Sequence, residues 1–413
     1  MQRSLGLLVA LVLPFTSCSH SNDNGPRCAP EPTTSSWPSD PTALIPRSPR
    51  ADVAFVPASH PPFPIVPRGP TVLSSLRLVT VIAAGDPLRD TLFTFSDTLA
   101  RSTWLTETGR EYGVAPGGLS IHLDGPALSG IVTTDDMRAY VKRAIDGAPP
   151  PSDETLDPHP DGRSIYMLFL PPGVIAKSSG EVNCNCNDAA GAHTVFDDEG
   201  DALAFSQRCT ESNDDLMTRV ESHEVIESLT DPVPGQGYVL PQGSPPWNGS
   251  VWAWLQDGDV ELADLCTGTR ITLDGWTYQR SWSNAAAGLG GDPCVPASSS
   301  QYFSTSASQD WFPIRAGESI VIPVKAWATG PRPDWYVYPL FVSSRGFKAT
   351  ITTATQQILS GTRFYSLNNG ETAILTVTAP QAKSGTFDVV DIVSRAADRV
   401  DGAHVLPVGV YIP

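Results

Sequence analysis

The spacing of apolar residues changes along the chain and divides it into regions. Residues 19–66 are rich in Pro, Ser and Thr and show no apolar period, which predicts an extended tether. Between residues 67 and 300, apolar runs alternate with segments of helical spacing, so we predict one mixed α/β (α+β) domain. In residues 301–413, short segments alternate between apolar and polar positions and are separated by turn residues. This pattern predicts an all-β, immunoglobulin-like sandwich.

Four elements stand out in the first domain. The segments 76–84 and 164–170 are strongly apolar and are predicted to be buried strands. Ser96 and Asp97 are predicted to cap a helix that carries Leu99, Trp104 and Tyr112. Residues 134–145 are predicted to form another helix, because acidic residues fill the first turn and basic residues follow, as the helix dipole favours.

A further helix is predicted from about residue 213 to 229, ended by Asp231 and Pro232. On a helical wheel, His223 and Glu227 share a narrow stripe with Leu216 and Val220, while apolar residues also occupy the other side. A helix with apolar residues on opposing sides is expected to be buried. His223 and Glu227 would then point into the domain one turn apart.

This helix contains His-Glu-x-x-Glu, which starts like the zinc-hydrolase signature His-Glu-x-x-His. Residues four apart on a helix can share one ion, so His223 and Glu227 are predicted metal ligands. Zinc is the expected cofactor, although another divalent metal is compatible with a carboxylate ligand. Glu224 would lie beside the ion and take a proton from water as the catalytic base.

A third ligand must come from elsewhere in the chain. Glu261 and Asp264 lie three residues apart before Cys266, and His193 follows a Cys-rich segment. Any of these three side chains could complete the site. Asp231 could orient a ligand, although a residue before proline is also a common helix-ending turn residue.

Each feature also has a simpler explanation. A histidine among carboxylates on a helix is often an ion-pair or core residue, and the acids could be solvated. Paired carboxylates could alternatively hydrolyse polysaccharide. Aromatic residues that could stack on sugars, but more often pack loops, lie in the segment before Glu261: Tyr238, Trp247, Trp252 and Trp254.

Composition and the N-terminus indicate export. The 413-residue chain has a net charge of −17, which opposes binding to nucleic acid. Residues 1–18 read as a signal peptide, because Arg3 precedes an apolar run from Leu5 to Phe15 that is too short to span a membrane. The run ends before Cys18 in a sequence that resembles a bacterial lipobox. We therefore expect a lipoprotein on the outer surface or in the periplasm, or otherwise a secreted protein.

The cysteine count suits an oxidising compartment. If Cys18 carries lipid, six of the seven cysteines remain, and an even number favours disulfides. Fifteen pairings of six cysteines are possible, and the sequence does not choose among them. Cys184 and Cys186 could instead bind metal as thiolates, although the compartment favours disulfides.

Four segments together resemble the plant phosphate-induced, EXORDIUM-like extracellular proteins and their bacterial relatives. In chain order they are IYMLFLPPGV (165–174), CNCNDAAGAH (184–193), SHEVIESLTDP (222–232) and ELADLC (261–266). The resemblance covers about residues 70–290. It differs in one place, since residues 187–190 separate the second cysteine from Gly-x-His.

The resemblance implies an extracellular, surface-associated protein with a zincin-like helix and a carboxylate as its normal second ligand. It marks as functional the residues already singled out: His193, His223, Glu224, Glu227, Asp231, Glu261, Asp264 and Cys266. The hypothesis is an exported, surface-anchored, peptidase-like metal hydrolase acting on an extracellular protein, peptide or cell-surface polymer. Its membrane contact would be the lipid anchor alone. The alternative is a non-enzymatic wall- or surface-binding protein whose acidic helix is structural.

Overall fold

The computed structural model describes most of the chain from residue 60 onward. The described ranges are 60–178, 181–182, 189–198, 200–208, 214–255, 260–297, 301–331, 335–341, 345–353, 355–359, 362–395 and 403–413. The predicted signal peptide, Cys18, most of the tether, and Cys184 and Cys186 lie outside these ranges. No helix within them is long and apolar enough to cross a membrane.

Residues 60–297, here called the N-terminal region, combine helices with short sheets. Its strands are β1 Leu76–Ala83, β2 Gly118–Gly125, β3 Ile131–Thr133, β4 Ile165–Phe169, β5 Ile175–Ser178, β6 Glu181–Val182, β7 Ala189–Val195, β8 Ala202–Arg208, β9 Arg270–Leu273, β10 Trp276–Gln279, β11 Ser281–Trp282 and β12 Cys294–Val295. Its α-helices are α1 Arg89–Leu99, α2 Thr103–Gly109, α3 Thr134–Asp146, α4 Asp214–Thr230 and α5 Asn284–Gly288. Short 3-10 helices span Arg110–Tyr112, Glu154–Leu156, Pro246–Asn248, Val251–Trp254 and Asp264–Cys266.

The main sheet of this region has five strands in the order β2-β1-β4-β8-β7. The first four strands are parallel and β7 runs antiparallel to β8. Leu78 and Ile82 of β1 join the core under α1, α2 and α4, whereas Val79 and Val81 join the core under α3. Because β1 and β4 are buried on both faces, their sequences read as continuous apolar runs. The two strands predicted there are confirmed.

Two predicted helices have different outcomes. The helix at 134–145 is confirmed as α3, where Thr133 and Asp136 form a capping box. The prediction that Ser96 begins a helix is wrong. Ser96 lies buried inside α1, with its hydroxyl 2.6 Å from Glu221 Oε1. The next helix, α2, begins after Ser102, whose side chain accepts the Leu105 N–H. Local sequence could not show that a partner from α4 engages Ser96.

Residues 301–413, the C-terminal region, contain only strands among their described elements: β13 Phe303–Ser306, β14 Trp311–Pro313, β15 Ser319–Ala328, β16 Trp335–Phe341, β17 Lys348–Thr352, β18 Thr355–Leu359, β19 Thr362–Leu367, β20 Thr372–Thr378, β21 Phe387–Arg395 and β22 Ala403–Tyr411. They form two sheets, β13-β15-β20-β17 and β14-β22-β21-β16-β19-β18. Ile322, Leu375 and Val390 meet in an apolar core supplied by both sheets. The predicted β sandwich is confirmed.

The aromatic residues before Glu261 pack where the two regions meet. Trp247 stacks on Tyr411 at 4.4 Å, and Trp254 meets Phe387 edge-on at 4.9 Å. Trp252 is buried in the same cluster. These side chains therefore hold the regions together, as loop-packing residues do, and are not arranged as a sugar-stacking platform.

Candidate metal centre

Helix α4 is buried on all sides from Val220 to Thr230, which is unusual for a helix with so many polar residues. It packs against β7 and β8 of the main sheet and against β10. Met217, Val225 and Leu229 enter the apolar core, while His223 and Glu227 are also completely buried. The prediction of a buried helix with inward-pointing His223 and Glu227 is therefore confirmed.

The structure brings the other predicted site residues to the same place. His193 comes from β7, Asp231 follows α4, and Glu261 and Asp264 come from the segment after the aromatic cluster. No member of the whole set is more than 2% exposed: His193, His223, Glu224, Glu227, Asp231, Glu261 and Asp264. Segments about 70 residues apart in sequence thus supply one polar interior.

The first group of ligand atoms consists of His223, Glu227 and Asp264. His223 Nε2 lies 3.0 Å from Glu227 Oε2 and 3.5 Å from Asp264 Oδ1. Backbone N–H groups hold the other carboxylate oxygens, since Asp264 N donates to Glu227 Oε1 at 3.2 Å and Glu261 N donates to Asp264 Oδ2 at 3.0 Å. Each acid therefore keeps one oxygen turned toward His223. The spacing fits donors around a single ion.

A disulfide secures the turn that carries Asp264. Cys266 is bonded to Cys294 of β12, with Cα atoms 5.8 Å apart. The expectation of disulfides is confirmed for this pair. Cys266 itself is therefore a structural cross-link at the edge of the site and not a metal ligand.

Gln279 of β10 sets the orientation of His223. Its amide nitrogen lies 2.7 Å from His223 Nδ1 and donates to the Ala263 carbonyl at 2.8 Å. For Nε2 to bind a metal, Nδ1 must carry the proton. In the arrangement described, the Gln279 amide N–H donates to Nδ1, so the ring proton lies on Nε2. A metal on Nε2 would therefore require the amide to turn its oxygen, buried without a hydrogen-bond partner, toward Nδ1 and to give up the bond to the Ala263 carbonyl. Gln279 was missed in the sequence, because its only signal is a contact across 56 residues.

The second group of ligand atoms consists of His193, Glu227 and Glu261. His193 Nε2 lies 2.9 Å from the carbonyl oxygen of Asp231 and 3.6 Å from Glu261 Oε1. His193 Nδ1 faces Glu224 Oε2 at 3.9 Å and Glu227 Oε2 at 4.0 Å. Glu227 thus belongs to both groups.

Asp231 has the two roles considered for it. Its carboxylate accepts the backbone N–H groups of Gly235, Gln236 and Gly237, and so closes the turn after α4. Its carbonyl oxygen accepts a hydrogen bond from His193. The helix end therefore also orients the histidine of β7.

Glu224 lies between the two groups, with its Oε2 3.9 Å from His193 Nδ1. Its Oε1 is 3.9 Å from His223 Nε2, and neither of its oxygens has a hydrogen-bond partner. Gly191 of β7 makes room for it, because a Cβ there would lie 2.3 Å from Glu224 Oε1. The need for glycine at this position was not recognised in the sequence, although Gly191 belongs to the Gly-x-His segment.

Burial strongly perturbs the ionisation of these groups. It raises the pKa of Glu227 to about 7 and, with neighbouring carboxylates, holds the pKa of Glu224 and Glu261 well above the usual range. It lowers the pKa of His223. Among the described residues, the cationic groups placed within 4.0 Å of Glu224, Glu227 and Glu261 are the imidazoles of His193 and His223. A bound cation would offset the free-energy cost of burying these carboxylates.

Glu221, one turn before Glu224, is also completely buried. Burial raises the pKa of Glu221 to about 8, although the Ser96 hydroxyl partly offsets the effect. It contacts α1 and not the metal groups. Glu221 was not recognised in the sequence as a buried acid.

Comparison with known proteins does not assign the chain to a family. No family model and no curated protein matches it. Similar solved structures include a lipoprotein from Bacteroides thetaiotaomicron (18% identity, 29% of this chain and 86% of that chain, TM-score 0.21) and a conjugative transposon lipoprotein from Bacteroides eggerthii (14%, 26% and 95%, TM-score 0.20). A family 123 glycoside hydrolase from Clostridium perfringens matches at 12% identity over 28% of this chain and 27% of that chain, with a TM-score of 0.20. Scores this low carry no conclusion about fold or function, so the function must be argued from the site.

Proposed function

We propose that the protein is an exported, metal-dependent hydrolase of peptidase type. One observation carries the proposal. His223, Glu227 and Asp264 offer ligand atoms 3.0 and 3.5 Å apart around one point, and Glu224 lies beside them with both oxygens unpartnered. This is the combination that metal hydrolases require: a set of ligands and a separate acid to move the proton.

The donor set fits a divalent cation. An imidazole nitrogen and two carboxylate oxygens suit zinc, and the share of carboxylate also admits manganese. The orphaned, buried His223 Nε2 and Glu227 Oε2 support the fit, since such atoms are costly without a partner. When bound, the ion would polarise the scissile carbonyl and neighbouring water.

The protein's own residues would then divide the work. His223, Glu227 and Asp264 hold the ion, and Gln279 fixes the ring of His223. Glu224 takes a proton from the water that attacks the peptide carbonyl. It passes that proton to the leaving nitrogen as the C–N bond breaks, so that the carboxylate is regenerated.

The surrounding architecture is consistent with a zincin-like domain. A sheet of four parallel strands and one antiparallel edge strand packs against the helix that carries the motif. The proposed kinship with EXORDIUM-like proteins rests on four sequence blocks. Three of them supply β4, α4 and the Asp264 turn, and the fourth supplies His193. Export rests on the N-terminal sequence, and the substrate would accordingly be an extracellular protein or peptide.

The complete burial of the site favours a second candidate, a structural ion in a non-enzymatic surface protein. Structural metal sites are closed, whereas catalytic sites keep one position open to substrate. His223 and Glu224 are both 0% exposed. Hydrolysis therefore requires a movement that exposes these buried side chains to substrate. A structural ion requires no such movement.

Glu224→Gln separates the two candidates. A hydrolase variant without its base should keep the metal but lose about 10²–10⁴-fold in kcat on a peptide library. Glu221→Gln is the matched control, because it makes the same change on the same helix where the side chain faces α1. Metal content and activity should both survive there. A Glu224→Gln protein as active as wild type would refute the mechanism, and a metal-loaded wild type without hydrolysis would leave the structural ion.

A further inference from the structure

We propose that the interior binds two divalent cations, with the second ion on His193, Glu227 and Glu261. The inference deepens the proposed function and rests on its first metal site. Glu227 would bridge the ions. The ligand class is a pair of zinc or manganese ions held by imidazole and carboxylate.

Distances separate the donors into two groups. Among the described residues, ligand atoms within 4.8 Å of one another form two sets of three that share Glu227, and not one larger set. Two atoms bound to one zinc at about 2.0–2.2 Å can be at most about 4.4 Å apart. One ion therefore cannot reach all five side chains as they stand. It would leave either His193 and Glu261 or His223 and Asp264 without a cation.

The atoms of the second group are deeply buried. His193 Nδ1 makes no hydrogen bond, and the Glu261 carboxylate meets only the carboxyl groups of Glu227 and Asp231, which would have to share a proton to bond with it; both residues are 1% exposed. The Asp231 carbonyl accepts the Nε2–H of His193 at 2.9 Å, which leaves the lone pair on Nδ1. His193 can therefore bind an ion through Nδ1, which faces Glu227 Oε2 at 4.0 Å, while Glu261 Oε1 lies nearest the other ring nitrogen, Nε2, at 3.6 Å.

Glu227 occupies the position expected of a bridge. Its Oε2 lies 3.0 Å from His223 Nε2 and 4.0 Å from His193 Nδ1, and has no hydrogen-bond partner. Its Oε1 is fixed by the Asp264 N–H. The 4.0 Å between His193 Nδ1 and Glu227 Oε2 is within the about 4.4 Å that two ligands of one zinc can span, although at a wider angle than the tetrahedral one. Two ions about 3.5–4 Å apart are typical of dinuclear hydrolase sites.

Charge supports the same stoichiometry. Four carboxylates at −1 each, those of Glu224, Glu227, Glu261 and Asp264, carry −4 when ionised, and two divalent cations carry +4. One ion would leave a residual charge of −2 in a buried space, which is unfavourable unless protons neutralise it. Asp231 is outside this sum, since three backbone N–H groups satisfy its carboxylate.

Native mass spectrometry of the zinc-reconstituted, full mature chain tests the proposal by counting ions. We expect about two zinc ions in wild type and in the Glu221→Gln control. Glu261→Gln should retain about one, and Glu227→Ala none. Circular dichroism checks that each variant is folded. A wild type that saturates at one zinc, or a Glu261→Gln protein that binds as many as wild type, would overturn the second site.

A second experiment uses only the wild-type protein, so it tests the proposal even if the variants do not fold. With Mn²⁺ in place of zinc, two ions bridged by Glu227 should give an exchange-coupled electron paramagnetic resonance spectrum. An isolated six-line spectrum at saturation would contradict the bridge. The second metal site and the proposed hydrolase function can be refuted separately. Two ions without hydrolysis leave this site standing, whereas one ion with hydrolysis leaves the proposed function standing.

Discussion

The interior beneath α4 and the interior of the β sandwich contain opposite chemistry. The sandwich core is built from apolar side chains such as Ile322, Trp335 and Leu375. Beneath α4, His223 and Glu227 are buried equally deeply. The sandwich is stabilised by removal of apolar surface from water. The N-terminal interior instead contains Glu224, neither of whose carboxylate oxygens accepts a hydrogen bond from the described residues.

The difference shows that burial alone does not define a core. The sandwich also buries two acids, Asp388 and Asp391. Burial and the neighbouring Asp388 keep the pKa of Asp391 well above the usual range, so Asp391 favours its neutral form. Beneath α4 several acids crowd around two histidines. Protons could neutralise these acids and be shared with the imidazole nitrogens, but each proton joins only two atoms, whereas a cation binds several carboxylate and imidazole lone pairs at once.

The largest expected effect on stability comes from the apolar core of the sandwich. Leu375→Ala should destabilise the protein by about 2–5 kcal/mol, because it removes a fully buried side chain and leaves a cavity. Zinc content per folded chain should not change. Chemical denaturation with parallel metal analysis measures both. Loss of zinc in folded Leu375→Ala protein would show that the two interiors are coupled.

A pH experiment tests the polar interior without metal. The folded-state pKa of Glu227 is raised to about 7 by burial, so the folded state favours its neutral form. Its contribution is fully present below about pH 4.5 and is lost as the pH rises through about 7. Burial of Glu224 and Glu261 acts in the same direction. The lowered pKa of His223 acts in the opposite direction, but it is one group against three.

Chelator-treated wild type should accordingly have a lower melting temperature at about pH 8 than at about pH 5. Zinc should reverse that loss at the higher pH, since ionised carboxylates bind it best. Glu227→Gln, treated in the same way, should show a weaker dependence. Metal-free wild type that is more stable at about pH 8 would contradict the assigned burial.

The smallest effect on stability is expected at Asp391 of the sandwich. Because Asp391 stays neutral, Asp391→Asn should change the free energy of unfolding by about 1 kcal/mol or less. Denaturant titration measures the change. A loss of several kcal/mol would mean that Asp391 acts as an ion, and the contrast between the two interiors would weaken.

Patterns local in sequence predicted much of the fold. The apolar runs of β1 and β4, the acidic start of α3 and the alternation of β15 are each decided by neighbouring residues. Ser96 shows the limit of such patterns. It looks like a cap, but Glu221 of α4 supplies its partner from 125 residues away.

The candidate site was predicted residue by residue but not in its arrangement. The motif placed His223 and Glu227 on one helical face. The division of the remaining donors depends on the register of β7 beside β8 and on the disulfide-linked turn at Asp264. Both features depend on contacts between segments that are separate in sequence, which local sequence patterns do not reveal. Gln279 is invisible in sequence for the same reason.

The metal content of the full mature chain beside Glu227→Ala tests the central claim most directly. Both proteins would be secreted without a tag or chelator, reconstituted with zinc and measured by inductively coupled plasma mass spectrometry. Since Glu227 belongs to both ligand groups, the account predicts zinc in wild type and none in the folded variant. A wild type that binds no zinc or manganese, or a folded Glu227→Ala protein that keeps its full complement, would contradict it.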